Sequence, residues 1–484
     1  MRGGLERDPL RVLATGFGTL PGMNAHANAL MSLANAIRAE LDVVTLKHAR
    51  LPHQSRMAGA RLFRVPVTGT PGEGRATFAR AVRRQLEASS YDIVHVRGPA
   101  EGVAAAAYRD LMGFQLVYEV GTYPNELEGA AAEGAWHRDH HECLDAADLV
   151  LVGSEAAALA VRAPGRWVEV LPPGVDVDSF DGCPAHAPAP AARLLYLGGF
   201  GPERALASAL AAIREVGLVR PVRALFAGEA DPGRRDGLRR LADGFGLGEV
   251  VDVAGEPRSR FLPAVLAAAD VLLVPAAAAP RYLELGALPA PLLEAMASRR
   301  PIVAAAVPAI TELLRDDVEA LLVPPGDEAA LADAVLAVLR EPDLAARLGD
   351  AAFARVLGGF GAAARRRRLA AIYEELAPGS QRFDAWRVGF AEDDAPALES
   401  LTSAAFPGAD TAELATEAPL ASRPDTSPDT LVGAPAPAGE TSAAHREGTE
   451  PGARPAHVLA ELSSDADALF DRGVGPARPP TGGK

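Results

Sequence analysis

Residues 269–297 read ADVLLVPAAAAPRYLELGALPAPLLEAMA, and the rest of the chain is organised around them. Val271 to Val274 form a short apolar run bounded by Asp270 and Pro275, as in a buried strand, whereas Leu292, Leu293, Ala295, Met296 and Ala297 favour helix. The stretch therefore predicts strand, loop and helix, with Glu294 projecting from the first turns of the helix. The loop lies at the carboxyl end of a strand. Ligands bind there in open α/β sheets, and first-turn amides around Pro289, Ala290 and Leu292 are expected to face an anion. A nucleotide diphosphate fits that place.

Outward in both directions the same rhythm continues. Residues 193–198 (RLLYLG) predict a strand, followed by GFGPER and the helix ALASALAAIREV; further strands are expected at 223–227 and 250–254, and helices at 234–245 and 260–269. After the opening element, residues 301–304, 310–314 and 320–323 complete a sheet and its covering elements, and PPGD leads into the helix EAALADAVLAVLR. The amino-terminal half repeats the pattern. RVLATG at 11–16 is a first strand, FGTLPGMN a loop carrying Gly16, Gly18 and Gly22, and residues 25–41 a helix. Strands follow at 42–46, 92–96 (DIVHV), 115–120 (QLVYEV) and 148–154, with a helix candidate at 76–88. His95, Arg97, Glu119 and Tyr123 fall at carboxyl strand ends and are expected to line one cleft. CPAHAPAPAA at 183–192 reads as a linker between two domains.

Composition narrows the function. At 484 residues and 49% hydrophobic content the chain has material for two cores, and a net charge of −15 argues against a nucleic-acid partner. Beyond residue 380 there are 8 basic and 17 acidic residues among Ala, Pro, Ser and Thr, so residues 379–484 are expected to be a disordered acidic tail. Lysine is nearly absent, only Lys47 and Lys484, so an arginine in place of a motif lysine reflects a general preference. Two cysteines without metal or disulfide spacing, and an amino terminus without a signal-peptide core, point to the cytoplasm. His137 and His141 share a helical face at a spacing a metal can use, but no further ligand pattern supports one, and a solvated face accounts for them. The run Arg365 to Arg368 reads as a solvated helix face, or else as peripheral contact with an anionic membrane at its inner surface.

Taken in order, several motifs resemble the family-four glycosyltransferases of the GT-B fold over residues 10–376. They are PGMNAHANALMSLANAI, DIVHV, the series Glu142, Ala147-Asp148 and Ser154, PPGVDVDSF, LYLGGFGPERALASAL, AADVLLVP, LLEAMASRRPIVAA and LVPPGDEAALADAV. The resemblance implies an α/β chain of two Rossmann-like domains facing a cleft: residues 1–172, completed by a carboxyl-terminal helix at about 362–378, and 191–361, joined by a linker at 173–190. It implies transfer of a sugar from a nucleotide-sugar donor to an acceptor with retention of configuration, without a metal or other cofactor. The acceptor, whether glycan, lipid-linked or small molecule, stays open. By the same resemblance His95, Arg204 and Glu294 are the catalytic candidates. Gly198, Gly199, Arg204, Gly228, Pro289, Ala290, Leu292 and Glu294 would hold the donor. Gly22, Met23, His26, Arg97, Glu119 and Tyr123 would face the acceptor.

The chain also departs from the family pattern. Of two glutamates separated by seven residues, the second is Glu294 but the first place holds Gly286, with Glu284 out of register. Pro291 stands where a subset of the family has lysine, and the Arg and Lys of the diphosphate cradle fall on Gly199 and Arg204. These departures motivate a rival reading, a non-catalytic GT-B binding or scaffold protein. A nucleotide-sugar epimerase on the same fold is a further alternative, against which the motif order argues.

Overall fold

The computed structural model describes residues 10–20, 40–48, 51–57, 59–121, 123, 130–180, 189–228, 232–257, 261–289 and 291–377. The expectations for Gly22, Met23, His26, Ala290 and the tail fall outside these residues. The first sheet contains β1 Arg11–Thr19, β2 Glu40–Leu46, β3 Gln54–Met57, β4 Ala60–Val65, β5 Ile93–Val96, β6 Gln115–Glu119, β7 Leu149–Val152 and β8 Val168–Val170. Their order is β3-β4-β2-β1-β5-β6-β7-β8, parallel throughout except that β3 runs antiparallel to β4. The second sheet contains β9 Ala192–Leu197, β10 Val222–Gly228, β11 Val251–Gly255, β12 Val271–Val274, β13 Ile302–Ala305 and β14 Leu321–Val323, in the order β11-β10-β9-β12-β13-β14. In each sheet the order reverses beside the first strand of its half. The crevices therefore lie at the carboxyl ends of β1 and β5 and of β9 and β12.

The central strands β5, β7, β12 and β13 are apolar runs buried along their whole length, as parallel strands covered on both faces must be. Covering them are α1 Pro71–Ala88, α2 Pro99–Met112, α3 Ala130–Ala146, α4 Glu155–Val161, α5 Leu206–Val219, α6 Pro232–Gly244, α7 Leu262–Ala267, α8 Pro280–Leu283, α9 Leu292–Ala297, α10 Pro308–Leu313, α11 Glu328–Arg340, α12 Pro342–Gly359 and α13 Ala362–Leu376. Helix α1 begins earlier than the expected residue 76, because Thr70 and Glu73 close a capping box around Pro71. Strands β3 and β4 had no sequence assignment, since Arg56, Arg61 and Arg64 interrupt their apolar pattern. Among the described residues, no helix is long and apolar enough to cross a membrane.

Helix α13 packs on the first sheet. Leu369, Ile372, Tyr373 and Leu376 join Val12, Ile93, Val117 and Leu149 in one core. Arg365 lies on the same face, one turn before Leu369, and is buried. Its guanidinium donates to the carbonyls of Leu171 and Pro172 at 2.6 and 2.8 Å and to Glu119 at 2.9 Å. The arginine run is thus not one solvated or membrane-facing surface: Arg365 is internal, and Arg368 pairs with Glu169. Removing one partner of a buried ion pair costs about 3–5 kcal/mol. Arg365→Ala is expected to lower the unfolding free energy by about that amount in urea titrations, while the exposed Arg367→Ala changes it by under about 0.5 kcal/mol.

The two halves also meet along α4. Ser154 Oγ donates to the Gly286 carbonyl at 2.8 Å, and Glu312 of α10 accepts from the amides of Glu155 and Ala156 at the start of α4. Gly286 has φ +60°, and a Cβ there would lie 2.3 Å from the Ala157 nitrogen. A side chain at 286 therefore conflicts with backbone from the other half and with its own dihedral, the latter alone costing about 1–2 kcal/mol. Gly286→Ala is expected to lower the melting temperature and expand the protein in small-angle scattering. No change in either quantity would show that this docking is not held in solution.

Candidate functional site

At the second crevice, β9 runs into a loop that ends in a 3-10 turn, Pro202–Arg204. Gly198 and Gly228 allow the loop's close approach to β10: a Cβ on Gly228 would lie 1.7 Å from the Gly198 carbonyl oxygen. These two glycines shape the crevice through backbone contact. Gly199 has no side chain to offer, and its carbonyl accepts from the Tyr196 hydroxyl. Arg204 is buried; its Nε lies 3.4 Å from Glu203 Oε1, and its guanidinium carbon 5.8 Å from the Tyr282 ring centre. Burial works against that charge, but Tyr282, Tyr196 and Glu203 more than offset it, so the Arg204 pKa is raised.

The loop after β12 closes the other wall. Its Ala277 amide donates to the Glu203 carbonyl at 2.9 Å, tying the two crevice loops together. From α8, Arg281 places Nη1 3.5 Å from the same Glu203 Oε1 that faces Arg204. Glu294, in the first turn of α9, is half-buried, and its Oε2 is enclosed without a hydrogen-bond partner. Burial pushes its pKa up to about 7, with its own backbone N–H pulling the other way.

The start of α9 offers fewer N–H donors to an anion than a helix start without proline would. Pro289 and Pro291 carry no N–H, and the Leu292 amide donates to the Pro289 carbonyl at 3.2 Å. The Glu294 amide is engaged by its own carboxylate.

In the first half the structure brings His95, Arg97 and Glu119 together, joined by Arg365 and Tyr373. Glu119 takes hydrogen bonds from Arg97 and His95, both at 3.1 Å, and from Arg365. Burial opposes its charge, but Arg97, Arg365 and His95 hold the Glu119 pKa well below the usual carboxylate range. His95 is 2% exposed, with Nδ1 2.6 Å from the Tyr373 hydroxyl and Nε2 on Glu119, and burial lowers its pKa. Nδ1 is engaged with Tyr373 of α13 and Nε2 with Glu119 of β6, so both ring nitrogens have partners within the protein. Tyr123 faces the other half, 5.2 Å from the Arg281 guanidinium carbon.

The sequence reading missed Arg365, Tyr373, Arg281 and Glu203. A signal existed for two of them: Arg365 and Tyr373 lie on the helical face of Leu369 and Ile372. The structure also makes a thermodynamic prediction for the empty crevice. A carboxyl whose folded pKa is raised from 4.5 to about 7 destabilises the fold above pH 7, a cost relieved as pH falls towards 4.5. Glu294→Gln is therefore expected to stabilise the ligand-free protein by about 3 kcal/mol at pH 8, and by under about 1 kcal/mol at pH 5. Urea titrations at the two pH values check this; an equal gain at both would place the carboxyl in solvent.

The chain is similar to known glycosyltransferases. Residues 21–174 match the glycosyl transferase 4-like domain and residues 191–341 match glycosyl transferases group 1. The chain is 32% identical over 321 residues to D-inositol 3-phosphate glycosyltransferase from a Nocardioides species, covering 58% of this chain and 67% of that protein. It is 30% identical over 184 residues to alpha-D-kanosaminyltransferase from Streptomyces kanamyceticus; the match spans 38% of this chain and less than half, 45%, of that relative. Among solved structures, HepE from Anabaena in complex with UDP-glucose aligns with a TM-score of 0.58 and 16% identity, over 76% of this chain and 100% of that one.

Proposed function

The chain belongs to the family-four glycosyltransferases of the GT-B fold, and on that premise we propose that it transfers a sugar from a nucleotide-sugar donor to an acceptor with retention of configuration and without a metal. The observation that carries the reading is the crevice between β9 and β12. There a buried arginine, Arg204, lies in the turn that follows β9, and Glu294, with one enclosed carboxyl oxygen lacking a partner, lies in the first turn of the helix that follows the β12 loop. A nucleoside diphosphate supplies what each lacks: hydroxyls for the carboxylate and phosphate oxygens for the guanidinium. HepE, whose solved complex contains UDP-glucose, supports a nucleotide sugar as donor. The acceptor enters from the first half, past Arg97 and Tyr123.

In this reading the protein contributes position and charge. Glu294 fixes the ribose, and Arg204 stabilises negative charge developing on the leaving diphosphate. The departing phosphate oxygen receives the acceptor's proton, so no dedicated carboxylate pair is required. The rival non-catalytic reading loses one of its motives, because Gly286 is demanded by the docking of α4.

The test is titration calorimetry with UDP-, GDP-, ADP- and dTDP-sugars, paired with a donor-consumption assay. A hydrogen bond to a charged group contributes roughly 1.5–3 kcal/mol, so Glu294→Ala is expected to weaken nucleotide binding on the order of tenfold to a hundredfold. Because ribose hydroxyls donate to the ionised carboxylate, binding should release a proton below pH 7, and affinity should rise with pH up to about 7. Binding to none of the donors would overturn the reading. Tight binding with no consumption across glycan, lipid-linked and small-molecule acceptors would favour the scaffold.

A further inference from the structure

We propose that Arg281 is the second cation of the donor diphosphate seat, taking the place of the side chain missing at Gly199; the inference rests on the nucleotide-sugar reading above. A diphosphate carries at least two negative charges into a crevice whose walls are largely buried, and one guanidinium does not balance them. Among the described residues other suppliers are reduced: Gly199 has no side chain, Pro289 and Pro291 have no N–H, and the Leu292 amide is bonded to Pro289. What the crevice does present is a second guanidinium. Arg281 Nη1 and Arg204 Nε approach one oxygen of Glu203 from two sides, at 3.5 and 3.4 Å.

Those distances exceed the roughly 2.7–2.9 Å of a charge-assisted hydrogen bond. Glu203 is therefore bracketed by the two arginines without being clasped, and the Nε atoms of both arginines are buried without a hydrogen-bond partner. A diphosphate offers two guanidinium groups several oxygens over a longer span than the one carboxylate oxygen they now share. Glu203 acts in the empty protein as a weak internal occupant, and its charge opposes the diphosphate that replaces it.

Arg281 is also held in place. Its guanidinium carbon lies 5.2 Å from the Tyr123 ring centre and 6.0 Å from that of Tyr282, and the Ala277 amide bond to the Glu203 carbonyl fixes the approach of its loop. Tyr123 comes from the first half of the chain, so the second cation is in position only when the two halves lie together. Donor diphosphate binding and the meeting of the halves are thereby coupled through one side chain.

The experiment measures binding of UDP, UMP, uridine and the corresponding guanosine, adenosine and thymidine series, together with inorganic pyrophosphate, to the full chain and to Arg281→Gln, Arg281→Lys and Glu203→Gln. Arg281→Gln is expected to weaken the diphosphate that the wild type binds tenfold or more, and its monophosphate and nucleoside by less than threefold. Arg281→Lys should recover part of the loss, and Glu203→Gln should tighten diphosphate binding. Equal losses for diphosphate, monophosphate and nucleoside, or no loss, would overturn the assignment and leave Arg281 as a loop tether. Pyrophosphate separates the two proposals: if the wild type binds it and Arg281→Gln does not, the anion seat stands even where every nucleotide fails. If neither pyrophosphate nor any nucleotide binds, both fall. Melting temperatures of the variants identify any loss caused by unfolding.

Discussion

A single carboxylate with a largely covered side chain, that of Glu119, holds together parts of the chain that are far apart in sequence. It sits at the carboxyl end of β6 and receives hydrogen bonds from His95, Arg97 and Arg365. Two cations beside one anion is an arrangement that apolar packing cannot replace piecemeal: losing any member leaves a charge in a poorly solvated place. Because Arg365 belongs to α13, the cluster obliges the chain to return to the first sheet after building the second. The His95–Tyr373 hydrogen bond at 2.6 Å fastens the same helix further along.

That return fixes the geometry between the halves. The outward crossing passes Val175 and the return crossing passes residues 360–362, and the two lie side by side. Val175 N–H donates to the Phe360 carbonyl at 3.0 Å, and Ala362 N–H to the Val175 carbonyl at 2.8 Å. Two strands of chain paired at a crossing permit rotation about one axis more readily than free tumbling, as a hinge requires. On the far side of the crevice the contacts are of another kind. Gly286 and Glu312 meet the amino end of α4 through hydrogen bonds that water can replace when the halves part.

The sequence made the two-sheet α/β architecture legible because each central strand is an apolar run terminated by Gly, Pro or Asp, as Val271 to Val274 show. The structure has Arg204 in the turn after β9 and Glu294 in the first turn of the helix after the β12 loop, as their positions relative to the strands suggested. Three things were not legible. The departure at Gly286 looked like decay of a motif, whereas a backbone contact with Ala157, 129 positions earlier in the chain, requires glycine. Arg365 read as one member of a charged run, although only its helical phase with Leu369 and Ile372 distinguishes it from Arg367. The helix-start amides near Pro289 were credited with an anion seat by analogy, although Pro289 and Pro291, flanking Ala290, carry no N–H.

The two polar clusters differ in a way that bears on function. In the first half, Glu119 takes three hydrogen bonds and Arg365 makes three, two of them to carbonyls, while the Arg365 Nε is buried without a partner. In the second half, Glu203 is approached only at long range by two arginines, and Glu294 keeps an enclosed oxygen unpartnered at the cost of a pKa near 7. Buried polar groups that are fully paired stabilise a fold, whereas those left short of partners cost stability and are retained where a ligand completes them. On the proposed reading the donor is held at the β9–β12 crevice, while the first-half cluster, with both nitrogens of its histidine engaged, ties α13 to the first sheet.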